Sequence, residues 1–173
     1  TWATIDLFSY DNKLNAGTFG VAANRYGNFA IQNSDLLISL GSRLNTQITG
    51  SNIKSFGPKA KKIVVDIDIN EFKKNNDLKI DLKINLDLKL FFKKIIPKIK
   101  KKNNYKIWTD QFKNWKNKYP VVKKEYYKES KKCNAYVFMK TLSKKTGKND
   151  ILIPDASANL IWAMQAFEIK KQR

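Results

Sequence analysis

The sequence predicts an α/β fold: a domain built on a parallel β-sheet, then helices, then the opening strand–helix unit of a second α/β domain. Three observations predict it. Residues 36–40 (LLISL) form a nearly unbroken apolar run of strand length, and Ile63-Val64-Val65 is a second run, β-branched throughout. Each is stopped by residues suited to a ligand site, Gly41-Ser42-Arg43 after the first and Asp66-Ile67-Asp68 after the second. Open parallel sheets bind ligands outside the carboxyl ends of their strands. Third, residues 150–169 repeat the order strand, small polar turn, apolar helix.

Taken in order, residues 1–7 (TWATIDL) suggest a short helix, with Trp2, Ile5 and Leu7 near helical spacing, and 9–15 are polar and turn-rich. Gly17-Thr18-Phe19-Gly20 opens a helix expected over 22–33. Such a loop can present backbone N–H groups to an anion. It can equally be a turn that needs glycine for positive φ. The spacing is not GxGxxG, and no strand precedes it. Both runs, 36–40 and 63–65, are expected to be buried strands, separated by an irregular excursion that begins at 46–50 and runs through 55–58. Asp66 is a ligand candidate, because a strand-end carboxylate can accept from ribose hydroxyls. Asp68 or Asn70 caps a helix near 70–74. Residues 81–84 alternate as a short edge strand does. Asp87 sits at an N-cap position before a helix over 88–99, whose last turn Pro97 weakens.

Residues 98–104 (KIKKKNN) have linker composition, and the first domain is placed at 1–100, with a helical linker over 101–133. Within that linker, 105–118 reads as an aromatic amphipathic helix with Ile107, Trp108, Phe112 and Trp115 on one face. An aromatic stripe at that spacing is packing surface rather than a stacking platform for bases. Asn134 caps a helix ending near Gly147. Residues 150–154 (DILIP) are expected to be a short buried strand, 155–159 a turn and 160–169 a helix. The segment 134–173 is therefore the start of a second α/β domain.

Composition excludes several chemistries. The chain has no histidine and a single cysteine, Cys133, which removes Ser–His–Asp catalysis, His-ligated zinc and any internal disulfide. No apolar run is long enough to span a bilayer, so no membrane role and a cytoplasmic protein are expected. The net charge of +19 admits nucleic acid, an anionic membrane or a solvated lysine-rich surface. Lys, Asn and Ile are over-used together, as AT-rich coding produces. Arginine, the residue favoured for bidentate phosphate and base contacts, occurs only at 25, 43 and 173. The solvated surface is the reading adopted. The alternative is a non-catalytic Rossmann-like module whose basic surface binds nucleic acid. The chain starts at Thr1 rather than Met, which suggests a piece of a longer protein.

The series TWATIDL, GTFG, NFAIQNSDLLISLGSRL, ITG, AKKIVVDID and LIPDASANLIWAMQAF resembles the thiamine-diphosphate-dependent enzymes of the acetolactate synthase type, in order and spacing. The resemblance implies that 1–100 is their central domain, a Rossmann-like six-stranded parallel sheet, and that 134–173 begins the diphosphate-binding domain. It implies thiamine diphosphate and Mg²⁺ in the full-length protein, with FAD as an optional cofactor of the central domain, and a 2-oxo acid such as pyruvate as substrate. It implies a homodimer or homotetramer, with the catalytic glutamate and the metal motif in N- and C-terminal domains outside this sequence. No catalytic or metal-ligating residue is therefore assigned here. By the same resemblance Gly20, Gly41, Arg43, Asp66 and Asp87 are the FAD or nucleotide positions. The flavin loop continues as Val21, Ala22 and Ala23, Leu86 replaces a glycine, and Asn45 and Gln47 replace charged residues of the turn that follows Arg43. Ser157, Ala158 and Asn159 stand where the family's Gly-Gln-His contacts the diphosphate.

Overall fold

A computed structural model describes residues 1–73, 77–99, 104–128 and 131–172. The chain divides into two compact units, 29–105 and 1–28 with 106–173. Helix α1 (Arg25–Gln32) straddles their boundary.

The 29–105 unit is a parallel sheet of three strands in the order β1 (Leu36–Leu40), β2 (Lys61–Asp66), β3 (Leu82–Asn85). Leu36 pairs with Lys61 and Leu40 with Val65; Ile63 pairs with Leu82 and Asp66 with Asn85. The expected edge strand is thus β3, one residue later than the alternation suggested. Among the described residues the sheet has three strands, against the six that the resemblance implied. The core lies along β2, where Val64 and Val65 are buried, with Ile48, Phe56, Ala60, Phe72 and Leu78 around it. The sheet faces differ. Leu37 packs against Gly57, whose φ of +51° turns the chain beneath it. Leu36, Ile38 and Leu40 share the other face and are 48%, 52% and 37% exposed, while Leu37 and Ser39 are half-buried, so β1 is not the fully buried strand expected. Lys62 is buried, its Nζ donating to the carbonyls of Gly57 (2.8 Å) and Ala60 (3.1 Å).

The excursion after β1 contains one short helix, α2 (Thr46–Thr49), which Asn45 caps by accepting the Ile48 N–H. Asp68 caps a 3₁₀ turn, Ile69–Phe72, by accepting the Asn70 N–H at 2.9 Å. Helix α3 spans Leu88–Ile95, and with Pro97 in place the chain tightens into a 3₁₀ turn over Ile96–Lys98. The linker expected at 98–104 falls largely outside the described residues.

The other unit joins the N-terminal loops to α4 (Lys106–Lys118), α5 (Ala135–Lys145) and α6 (Ala158–Ala166). Residues 1–7 form only a 3₁₀ turn, Trp2–Thr4. Gly17 (φ +87°) and Gly20 (φ +125°) both use the positive φ that one reading of the loop required. Gly27 matters as much: a Cβ there would lie 1.8 Å from the Thr18 carbonyl oxygen, so α1 and the loop approach closely only because Gly27 lacks one. In α4 the rings of Trp108, Phe112 and Trp115 follow one another at 5.5 and 6.3 Å, but Ile107 is 86% exposed and lies off that stripe. Asn134 caps α5 through the N–H groups of Tyr136 and Val137. Lys140 on α5 pairs with Glu168 at 2.8 Å. The last turn of α5 is closed from outside: buried Gln172 donates to the carbonyls of Ser143 and Thr146.

The strand expected at 150–154 does not form. Ile151 and Ile153 are exposed, and no described strand lies alongside to pair their backbone. The helix behind it does form, starting two residues earlier than its periodicity suggested. It ends at Ala166 because the chain extends at Phe167, and beyond that the Ile169 carbonyl accepts the Tyr10 N–H. No described helix is long and apolar enough to cross a membrane.

Candidate cofactor-binding residues

Four of the eight candidate positions, Gly41, Arg43, Asp66 and Asp87, come together at the carboxyl edge of the three-stranded sheet. Parallel pairing in register delivers them there, since β1, β2 and β3 all end at that edge. Gly41 follows β1 with φ +57°, and its N–H donates to the Val65 carbonyl at 2.8 Å. A Cβ at Gly41 would meet Leu88 at 2.8 Å, so the glycine lets α3 close on the strand end. The Arg43 side chain is 67% exposed and its Nε lies 3.4 Å from Glu71. Asp66 is buried at the end of β2; its Oδ1 accepts the Asp68 N–H at 3.0 Å. Asp87 is the N-cap of α3, its Oδ1 accepting from Lys89 and Leu90 N–H at 2.8 and 3.2 Å.

Two residues at this edge escaped the sequence reading. Asn85, at the end of β3, donates its amide to the carbonyls of Asp66 and Ile67 and so ties β3 to the turn after β2. Glu71 is the acid facing Arg43. Asn85 was findable, because a polar amide ending a strand beside an acidic strand end invites such a bond. Glu71 was not, because its partner is distant in sequence.

The remaining candidates lie in the other unit. Gly20 exchanges two hydrogen bonds with the Asn28 side chain, N–H to Oδ1 at 2.9 Å and Nδ2 to carbonyl at 3.0 Å. Its N–H is thus taken up within the loop. Ser157, Ala158 and Asn159 open α6. Ser157 has φ +84° and ψ −148°, a backbone region almost reserved for glycine, and its side chain makes no capping bond. The first-turn N–H groups of α6 have no helical acceptor and carry the positive end of the helix dipole. The described residues contain no cluster of His, Cys, Asp or Glu able to hold a metal ion.

The donor set decides what could be held. At the sheet edge the Gly41 N–H and Asp66 Oδ1 are already used, and Asp87 Oδ1 caps α3. The Arg43 guanidinium, paired with Glu71, and the Asp87 carboxylate are exposed, whereas Asp66 is buried, so the edge presents few open groups to a flavin. The start of α6 fits a diphosphate, with unused backbone donors, a free Ser157 hydroxyl and the Asn159 amide.

An open parallel sheet with its candidate residues at the carboxyl edge is the arrangement of a Rossmann-like domain. Residues 1–95 match the family model described as thiamine pyrophosphate enzyme, central domain, and the chain belongs to that family. It is 31% identical over 128 residues to the acetolactate synthase large subunit of Cyanidium caldarium, covering 66% of this chain and 20% of that protein. It is 25% identical over 175 residues to that of Porphyra purpurea, covering 96% of this chain and 28% of that protein. The acetolactate synthase large subunit of Corynebacterium glutamicum is 28% identical over 176 residues, across 100% of this chain and 28% of its own length. The chain thus spans less than a third of the length of these relatives.

Proposed function

We propose that this chain is part of a thiamine-diphosphate-dependent enzyme that decarboxylates a 2-oxo acid, such as pyruvate, and transfers the product to a second carbonyl. The observation that carries this reading is continuity. The alignment to Corynebacterium glutamicum acetolactate synthase runs through the central domain and on through α6, without leaving the relative. The proposed division follows: 1–100 as central domain, 101–133 as linker and 134–173 as the start of the diphosphate-binding domain.

In this reading Ser157, the N–H groups of Ala158 and Asn159, and the Asn159 amide hold the diphosphate. Thiamine diphosphate, with Mg²⁺, supplies a thiazolium carbanion as nucleophile. The chain's own contribution is to place a helix N-terminus against negative charge and to frame the domain. Gly20, Gly41, Arg43, Asp66 and Asp87 serve as framework, and FAD is given no step. The full-length protein is proposed to be a cytoplasmic homodimer or homotetramer. Family membership gives the basic surface no nucleic-acid role, and that alternative is not favoured.

The test is calorimetry on the protein extended at both ends by its flanking coding sequence. Thiamine diphosphate with Mg²⁺ is expected to bind saturably. The double variant Ser157→Ala, Asn159→Ala is expected to weaken binding about tenfold, the cost of lost hydrogen bonds to a charged group, while Arg43→Ala stays within about twofold. No binding by the extended protein would overturn the proposal.

A further inference from the structure

A cavity of about 630 Å³ lies wholly within the unit formed by 1–28 and 106–173, between α4, the loop before α1 and the end of α6. None of the sheet-edge residues lines it, nor does Ser157, Ala158 or Asn159. Its charged lining consists of three carboxylates, Asp11, Asp110 and Glu168, and four lysines, Lys13, Lys113, Lys116 and Lys140. Each carboxylate already has a lysine of its own. Asp110 pairs with Lys106 at 2.6 Å, Glu168 with Lys140 at 2.8 Å and Asp11 with Lys170 at 3.4 Å. Lys13, Lys113 and Lys116 form no ion pair with a carboxylate among the described residues. With Lys106 and Lys170 included, six lysines stand around the space against three carboxylates, and the excess is positive.

Lys116 shows what that excess lacks. Its Nζ donates to the Asn15 carbonyl at 2.8 Å and lies 4.8 Å from the centre of the Tyr10 ring and 5.7 Å from that of Tyr26. Burial pushes its ammonium below the ordinary range, and the more distant charges of Asp11 and Glu168 pull the other way without making up the loss. A half-buried ammonium with no bonded carboxylate is stabilised by an anion brought to it. Lys113 stands three residues earlier on α4, so the two lysines are neighbours on one helix face, with Cβ atoms about 5–6 Å apart. Lys113 and Lys13 are exposed, and Lys116 is half-buried, so all three can meet a ligand. Several positive charges on one space favour a dianion over a monoanion. Ammonium groups act as point charges that converge on a tetrahedral phosphate, whereas a flat carboxylate is held best by a guanidinium fork, and no arginine lines this cavity. Phe112, Pro120 and Val121 add an apolar side, and the volume is that of a small-molecule site.

We propose that this cavity binds a small phosphomonoester, whose phosphoryl oxygens accept from Lys113, Lys116 and Lys13 and whose organic part rests on Phe112, Pro120 and Val121. The site is separate from the diphosphate positions at the start of α6, and its test does not depend on thiamine diphosphate.

The experiment is an NMR titration of the isotopically labelled chain at about 150 mM salt, which screens binding to scattered surface lysines. The probes are phenyl phosphate, inorganic phosphate and benzoate. Phenyl phosphate is expected to give saturable shifts at Lys13, Lys113 and Lys116, with a Kd of about 1 mM or below. Inorganic phosphate lacks the apolar part and is expected to bind about fivefold more weakly. Benzoate, with one charge and a flat head, is expected to be weaker by about the same factor. The double variant Lys113→Gln, Lys116→Gln is expected to weaken phenyl phosphate about tenfold or more. A control with the same loss of charge outside the cavity, Lys132→Gln with Lys148→Gln, is expected to stay within about twofold. If the double variant fails to fold, Lys113→Gln alone, at an exposed position, is expected to cost about threefold and still decides. Benzoate or inorganic phosphate binding as tightly as phenyl phosphate, equal losses from the control and cavity variants, or no saturable shift at the three lysines would each overturn the proposal.

Discussion

The carboxyl edge of the sheet and the start of α6 are two of the places where the family pattern implies cofactor contacts, and they use their polar groups in opposite ways. At the sheet edge Gly41, Asp66 and Asp87 spend hydrogen-bonding capacity on the chain itself. At the start of α6, Ser157 holds a glycine-like conformation and its hydroxyl caps nothing. The comparison teaches that residue identity at a family position does not show how much hydrogen-bonding capacity is left open there.

Single substitutions can break or sharpen the contrast. The largest effect is expected at Gly41→Ala, where a Cβ would meet Leu88 at 2.8 Å with φ at +57°. Thermal or urea unfolding should register a loss of about 2 kcal/mol, and a neutral result would mean the edge is looser than its packing implies. Next is Asp87→Ala, which removes the cap of α3 and should cost about 1 kcal/mol, with Asp87→Asn largely restoring it. Ser157→Gly runs the other way. It should raise stability by up to about 1 kcal/mol, because glycine takes that backbone region without strain. Destabilisation there would show that the serine has a bond that matters. Arg43→Ala should change stability by less than about 0.5 kcal/mol, as expected of an ion pair whose arginine is largely in water.

A pH titration adds a finer test. Asp81 accepts the Lys62 backbone N–H at 2.8 Å, and that bond holds its carboxyl below the usual 3.8. A folded-state value below the unfolded one gives stability that is complete above pH 3.8 and fades as pH falls through the lower, folded value. Asp81→Asn should remove that part of the acid slope and lower stability slightly at neutral pH, where the carboxylate's contribution is fully present, as followed by circular dichroism.

The parallel sheet was legible because β1 and β2 are apolar runs of strand length with abrupt polar stops. Asp87 and Asn134 were legible as caps because a cap is a local device, read within four residues. What escaped was non-local. The apolar alternation at 150–154 suggests a strand, yet pairing needs a neighbour, and a sequence window cannot show that none is there. The run 36–40 gives no sign that one side of β1 faces solvent, since burial depends on what packs against it. Gly27 lies inside a helix, and nothing local shows that the Thr18 carbonyl packs against it. Of the candidate site, four positions were brought to one edge as the family pattern implied. Their use in internal bonds depended on the Val65 carbonyl and on the N–H groups of Asp68, Lys89 and Leu90, backbone groups that residue identity does not show.

Gln172 has a consequence for the order in which this helical end can form. Synthesis proceeds from the N-terminus, and α5 has all its own residues by Lys145. The amide that satisfies Thr146 comes 26 residues later. Until it arrives, the carbonyls of Ser143 and Thr146 have only water. The end of α5 is therefore closed only once residue 172 has been made, and Gln172→Ala would leave that turn frayed.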